Sequence, residues 1–195
     1  MNFAPDDATM RSMQTARPRV NYEQLQRMPD DGRRYELHDG VLFEVPAPTL
    51  RHQRVVQHVC EVLREYERTA GGLVVASPID VVLDDYHVVQ PDVVFLTRDQ
   101  SEGLDMRAPV RTPPALCVEV LSPATEWVDR GWKLRALARF GVREYWLIDA
   151  DKHTIERYVF DARTTVLDGV ASVGDAMTSR ALTALTFPAG RVFER

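Results

Sequence analysis

The segment Ala115-Leu116-Cys117-Val118-Glu119-Val120-Leu121 is apolar on both faces of an extended chain, apart from a single carboxylate. Side chains alternate along a strand, so Cys117, Glu119 and Leu121 share one face and Leu116, Val118 and Val120 the other. A strand apolar on both faces belongs inside a sheet that is covered on both sides. Downstream, Val128, Trp132, Leu134, Leu137, Ala138 and Phe140 recur at helical spacing among arginines, and Gly141 ends the pattern. Tyr145-Trp146-Leu147-Ile148 then reads as a second buried strand. Strand, helix and strand in this order predict a right-handed parallel crossover.

The rest of the chain pairs more locally. Asn21 caps a short helix over residues 22–28. Arg34 to Leu37 and Val41 to Val45 flank His38-Asp39-Gly40, and an Asp-Gly step between two apolar runs predicts a hairpin. Residues 51–69 carry Val55, Val56, Val59, Cys60, Val62, Leu63 and Tyr66 on one wide helical face, and Gly71-Gly72 stops that helix. Short strands follow at 73–76 and 79–83. Val88 to Leu96 reads as one more strand, broken by Pro91 at a start or an edge. Residues 97–114 carry three prolines and read as a surface loop. Thr154 to Phe160 pairs with the strand before it, and the last 35 residues hold short strand-like pieces. The expected fold is mixed α/β, a mixed sheet flanked by helices. Residues 1–18 read as a loose tail and 19–195 as a single domain.

The chain has 195 residues, 45% hydrophobic and 27% charged, near the averages for globular proteins. No apolar run reaches the ~20 residues of a membrane helix, and no signal peptide is visible, so a cytoplasmic protein without membrane contact is expected. Cys60 and Cys117 are too few for a disulfide framework or a cysteine zinc site. The net charge of −5 argues against a general nucleic-acid coat but leaves room for a local basic cleft. Of 24 basic residues only Lys133 and Lys152 are lysines, so each lysine position carries information.

The chemistry concentrates on few residues. Glu119 in a central strand is costly unless it meets a cation or a partner; a snorkelling edge position or a buried arginine pair is the bland alternative. Asp92 opens Val93-Val94-Phe95-Leu96, 27 residues before Glu119, and two such carboxylates converge if their strands are neighbours. Paired carboxylates suit Mg²⁺ or Mn²⁺. Lys133 on the next helix could orient a water or offset charge at phosphorus, unless it is a solvated helix lysine. Glu36 is either a third carboxylate or a surface strand position. Asp80 reads as exposed. His52 opens the long helix and could touch phosphate. His52 and His58 are six residues apart, which excludes the i, i+4 zinc pair. Ser122 lacks a G-x-S-x-G elbow, and there is no P-loop or G-x-G-x-x-G.

These residues fall in stretches that resemble the Uma-two family of bacterial proteins, labelled as candidate endonucleases in the restriction-endonuclease-like PD-(D/E)XK superfamily. The matching stretches, in order, are Arg34-Tyr35-Glu36-Leu37-His38-Asp39-Gly40, Arg51-His52-Gln53 and Val89-Gln90-Pro91-Asp92-Val93-Val94-Phe95. They continue with Val118-Glu119-Val120-Leu121-Ser122-Pro123-Ala124-Thr125, Asp129 with Lys133, and residues 141–149. The resemblance implies a restriction-endonuclease-like core with Mg²⁺ (or Mn²⁺) between Asp92 and Glu119, and Glu36 completing the metal shell. The superfamily's lysine falls two residues after the second acid, where this chain has Leu121, so Lys133 is implied as a migrated replacement. The function implied is metal-dependent hydrolysis of nucleic-acid phosphodiesters, DNA favoured, by a homodimer. His52, Arg51, Gln90 and Arg130 would bind substrate, and Arg54 and Arg135 would face backbone phosphates. The rival expectation is a non-catalytic binding or dimerisation module on the same fold. A hydrolase of small phosphoesters is a weaker third.

Overall fold

The computed structural model describes residues 19–161 and 165–194; the expected loose tail lies outside the described residues. Asp39 and Gly40 both adopt positive φ, 54° and 78°, the geometry a two-residue hairpin turn requires. The turn joins β1 (Arg34–His38) to β2 (Val41–Val45). Ahead of the hairpin, α1 (Tyr22–Gln26) is capped by the Asn21 side chain. The long helix α2 (Leu50–Ala70) follows, with the Thr49 hydroxyl accepting from the His52 amide and Gly71 at its end. Its apolar face is the one expected, Val55 through Leu63, and it covers one face of a sheet.

That sheet has six strands among the described residues: β3 (Leu73–Ala76), β6 (Val93–Leu96), β7 (Leu116–Val120), β8 (Glu144–Asp149), β9 (Thr154–Phe160) and β10 (Thr165–Ser172). Their order in space is β10-β9-β8-β7-β6-β3. Only the β7–β8 pair is parallel, as the crossover requires, and the β8–β9 hairpin is antiparallel. Leu116, Val118 and Val120 pack beneath α2 with Trp146 and Ile148. Cys117, Tyr145 and Leu147 face the opposite side, where Leu137 of the crossover covers them. The sheet is therefore buried on both faces around β7, and Glu119 points to the crossover side.

A second sheet, β2-β1-β5-β4, adds β4 (Val81–Asp84) and β5 (His87–Val89). Here the structure differs from the expectation of one strand across Val88 to Leu96. β5 and β6 belong to different sheets, and Gln90-Pro91-Asp92 is the step between them. Pro91 is buried at this step, where its missing amide leaves no ladder bond unmade. β6 lies between β7 and β3, so it is no edge. The proline-rich segment after β6 contains a short helix, α3 (Arg98–Ser101).

The crossover also differs. It is α4 (Glu126–Val128), a π-helical turn at Asp129–Lys133, and α5 (Leu134–Arg139). A π turn widens the repeat and often marks a functional position. It places both Asp129 and Lys133 inside. Asp80 is half-buried, not exposed, because it accepts from the Tyr22 hydroxyl and from Gln90 Nε2, each at 2.9 Å. The C-terminal strands β11 (Ala176–Thr178) and β12 (Thr186–Pro188) form a separate ribbon. Glu144 draws the chain beside it inward. Its carboxylate accepts from Trp146 Nε1, the Ser179 hydroxyl and the Arg180 and Ala181 amides at 2.5–3.0 Å.

Candidate active site

Five elements meet at one pocket of about 470 Å³. β1 contributes Glu36 from its centre, the inter-sheet step contributes Gln90 and Asp92, and β7 contributes Glu119 near its end. The first turn of α2 adds Arg51 and His52, and the π turn adds Asp129 and Lys133. All eight line the pocket.

Lys133 is the hub. Its Nζ lies 2.7 Å from Glu119 Oε1, 2.9 Å from Glu36 Oε1 and 3.5 Å from Asp129 Oδ1. Burial disfavours its charge, but the three carboxylates more than offset that, and the pKa rises well above the ordinary lysine value. Lys133 is thus a fixed cation. Glu36, with 0% exposure, has the most protein partners of the pocket's buried carboxylates. It accepts from the Gln90 amide at 2.7 Å and meets His38 Nε2 at 2.8 Å, besides Lys133. Burial pushes its pKa up, but Lys133, His38 and the Gln90 amide pull it down to about 2. His38 is itself fixed by stacking between Phe43 and Trp132, at 4.7 and 3.7 Å between centroids.

Glu119 behaves oppositely. Burial raises its pKa well above the ordinary value despite Lys133, and the Asp129, Asp92 and Glu36 carboxylates add to the rise. Asp129 is raised for the same first reason, burial. Asp92 Oδ2 accepts from the Val120 amide at 2.8 Å and lies 3.1 Å from His52 Nε2. Burial lowers the His52 pKa, but Asp92 and the Val120 carbonyl overcome it and the net shift is upward.

Three polar atoms on this pocket, His52 Nδ1, Gln90 Oε1 and Asp129 Oδ1, are buried without a hydrogen-bond partner. Buried polar atoms are normally paired, so three orphans on one wall mark a place for water, an ion or a ligand.

The predicted residues do not all converge. Glu36, Asp92, Glu119, Lys133, His52 and Gln90 share the pocket. Arg51 lies at its rim, held by Asp151 at 2.5 Å and the Ala150 carbonyl at 2.6 Å. Arg130 does not line it: its guanidinium is bidentate on Glu156 at 2.6 and 2.9 Å and also binds Glu126. Arg54 faces a neighbouring pocket with His153 and Phe193. Asp129 entered the sequence reading only as part of the Asp129 and Lys133 stretch and was given no site role, although its i, i+4 spacing to Lys133 was a usable signal.

The sequence profile of the Uma2 family, described as "Putative restriction endonuclease", matches residues 22–189. The chain belongs to the Uma2 family. A crystal structure described as a putative nuclease belonging to DUF820, from Anabaena variabilis, superposes with a TM-score of 0.73 at 15% sequence identity, covering 89% of this chain and 97% of that one. What is shared at that identity is the fold, a mixed α/β nuclease type. No curated protein matches the chain. Among the described residues of this Uma2 protein no helix is long and apolar enough to cross a membrane.

The donor chemistry of the pocket can be tested against a divalent cation. Four carboxylates face one lysine and one histidine, an excess of negative charge in a buried place, and Asp129 Oδ1 lacks a hydrogen bond. Oxygen donors of this kind fit Mg²⁺ or Mn²⁺. Among the described residues no three of His, Cys, Asp and Glu stand as a preformed ligand set, and Glu36 is already saturated by Lys133, His38 and Gln90. The fit is therefore to Asp92 and Glu119 rather than to a three-carboxylate shell.

Proposed function

We propose that this Uma2 protein hydrolyses phosphodiester bonds of nucleic acid, DNA favoured, using Mg²⁺ or Mn²⁺ held by Asp92 and Glu119. The observation that carries the proposal is the set of three buried polar atoms without a hydrogen bond, one of them ion-paired to Lys133, on the same pocket as the acidic pair. A bound divalent ion would polarise the phosphate and ease ionisation of a water. Lys133, held charged by Glu36, Glu119 and Asp129, acts as a hydrogen-bond donor to developing negative charge on the phosphate and not as a proton acceptor. Glu36 keeps that ammonium in place, so its role is positioning. His52 steadies Asp92 and presents its free Nδ1 to the pocket. Glu119, raised by burial and by its neighbours, would have to shed any proton to take the metal, so uptake there would be favoured by rising pH. The homodimer implied by the resemblance goes with this reading, and light scattering tests it.

Calorimetric Mn²⁺ titration of the wild type, Glu119→Gln and Asp92→Asn, with circular dichroism as the folding control, tests the reading. Uptake by the wild type and loss in both variants is expected, followed by Mn²⁺-dependent cleavage of DNA that both variants lack. Undiminished cleavage by either folded variant overturns the assignment. The rival reading, a non-catalytic module, draws support from Lys133 already filling the space between three carboxylates. It predicts no Mn²⁺ uptake and no cleavage.

A further inference from the structure

The pocket has few guanidiniums to grip phosphates. Arg51 is paired with Asp151 and the Ala150 carbonyl, which leaves Arg34, on the neutral Ser77 hydroxyl and Pro46 carbonyl, as the one lining arginine without an acid partner among the described residues. The chain as a whole carries −5. Duplex DNA is gripped mainly through phosphates, by rows of free lysines and arginines. This rim offers aromatic surface instead. Phe43 lines the pocket, and Trp127 stands edge-on to it, with centroids 6.1 Å apart and ring planes at 72°. Trp127 is 68% exposed, whereas Trp146 is fully buried and Trp132 is stacked on His38. Trp127 does not itself line the pocket; its contact with Phe43, which does, sets the indole beside it. Contact with Phe43 restrains the indole while most of its surface stays in water.

We propose that Trp127, braced edge-on by a Phe43 ring that itself stacks on His38, is the stacking platform for an unpaired nucleobase, so that the pocket receives a single strand or an unpaired stretch rather than an intact duplex. The proposal rests on reading the pocket as a nucleic-acid site and names its substrate class. Away from its ends a duplex keeps its base faces covered and can present one to the platform only after unpairing. Every base has a π face, so stacking supplies affinity without free cations and without sequence preference. The acidic pair and Lys133 line the same pocket as Phe43, with Glu119 only 5% exposed. A flexible single strand can bend a phosphate into such a recess.

The test is fluorescence anisotropy with short labelled oligonucleotides in Ca²⁺: a single-stranded DNA, the matching blunt duplex, an RNA of the same sequence, and single strands with one abasic position moved along the chain. Single-stranded DNA should bind more tightly than the duplex. Trp127→Ala should weaken single-strand binding roughly five- to a hundredfold, while Trp127→Phe stays within a few-fold of the wild type. One abasic position should reproduce that loss, and Trp127→Ala should be indifferent to it, the signature of coupled partners. RNA binding with the same Trp127 dependence supports the platform. Preference for the duplex, unchanged single-strand affinity in Trp127→Ala, or a variant that alters only self-association overturns it while leaving the nuclease reading intact. A folded wild type that binds no Mn²⁺ and no oligonucleotide of any kind overturns both.

Discussion

Replacing Lys133 with Met removes the ammonium and keeps most of the aliphatic stem. In the native pocket that ammonium faces Glu119 at 2.7 Å, Glu36 at 2.9 Å and Asp129 at 3.5 Å, with 7% of the side chain exposed. Without it, three buried carboxylates face one another with no cation among them. Removing one partner of a buried ion pair destabilises by about 3–5 kcal/mol. For a chain of this size each kcal/mol moves Tm by about 2–4 °C, so the melting point should fall by roughly 6–20 °C near neutral pH. The pH dependence is the sharper check. With Lys133 gone, the Glu36 carboxyl loses the largest of the three groups that hold it at about 2, and all three acids should titrate higher than in the wild type. A raised carboxyl contributes its stability at low pH and loses it as pH climbs through the raised value. The deficit against the wild type should therefore be widest near pH 8 and narrow toward pH 5, and Mn²⁺ should narrow it at pH 8 by replacing the missing charge. Thermal melts followed by circular dichroism across that range measure it. Lys152→Met is the control, because Lys152 is 70% exposed beside Asp149 and an ammonium standing in water contributes little to stability. A deficit under about 1 kcal/mol at pH 8, or one that grows on acidification, would refute the picture of Lys133 as the cation that keeps this cluster folded.

Other outcomes follow from the same contacts. Glu36, held at about 2 against an ordinary 4.5, contributes about 3 kcal/mol that is present above pH 4.5 and lost as pH falls toward 2; urea titrations should show a shallower acid-side decline in Glu36→Gln. Glu144→Ala strands the Trp146 indole N–H and two backbone amides, and should lower stability by about 3–5 kcal/mol, with protease cutting first near residues 179–182. Gly72 has φ +107°, and a Cβ there would sit 2.5 Å from the Leu96 carbonyl oxygen. Gly72→Ala should therefore destabilise by more than about 1 kcal/mol in chemical denaturation.

What could be read from the sequence was what local pattern determines. The Asp39-Gly40 turn needs positive φ at both positions and advertises it, and the face of α2 is written at helical spacing from Val55 to Leu63. The two-sided burial of β7 follows from apolar residues on both its faces, and the parallel crossover follows from that. Long-range partners decided the rest. Pro91 signals a break, but nothing nearby tells that β5 and β6 part into two sheets. The arginine-rich helix looks regular from 126 to 140, and the π turn comes with placing both Asp129 and Lys133 inside. Glu36 sits between Tyr35 and Leu37 like many surface strand glutamates; its burial depends on Gln90, His38 and Lys133, none adjacent in sequence. Asp80 looked exposed because Tyr22 and Gln90, which use its oxygens, lie 58 and 10 residues away.

The energetic logic of the pocket points the same way as its geometry. Buried ion pairs roughly break even against well-packed apolar residues, and an excess of one sign is worse. Here Glu36, Glu119 and Asp129 share a single lysine while Asp92 leans on His52. Two of the carboxyls, Glu119 and Asp129, are pushed up by burial rather than stabilised by it. Glu144 shows what a purely structural buried glutamate looks like in the same protein: it accepts from four donors and ties the C-terminal segment to β8. Asp129 lacks that closure, and Gln90 and His52 each keep an unused polar atom on the same wall. The fold satisfies Glu144 fully and leaves these groups unsatisfied together in the pocket, which is where the proposed cation would meet them.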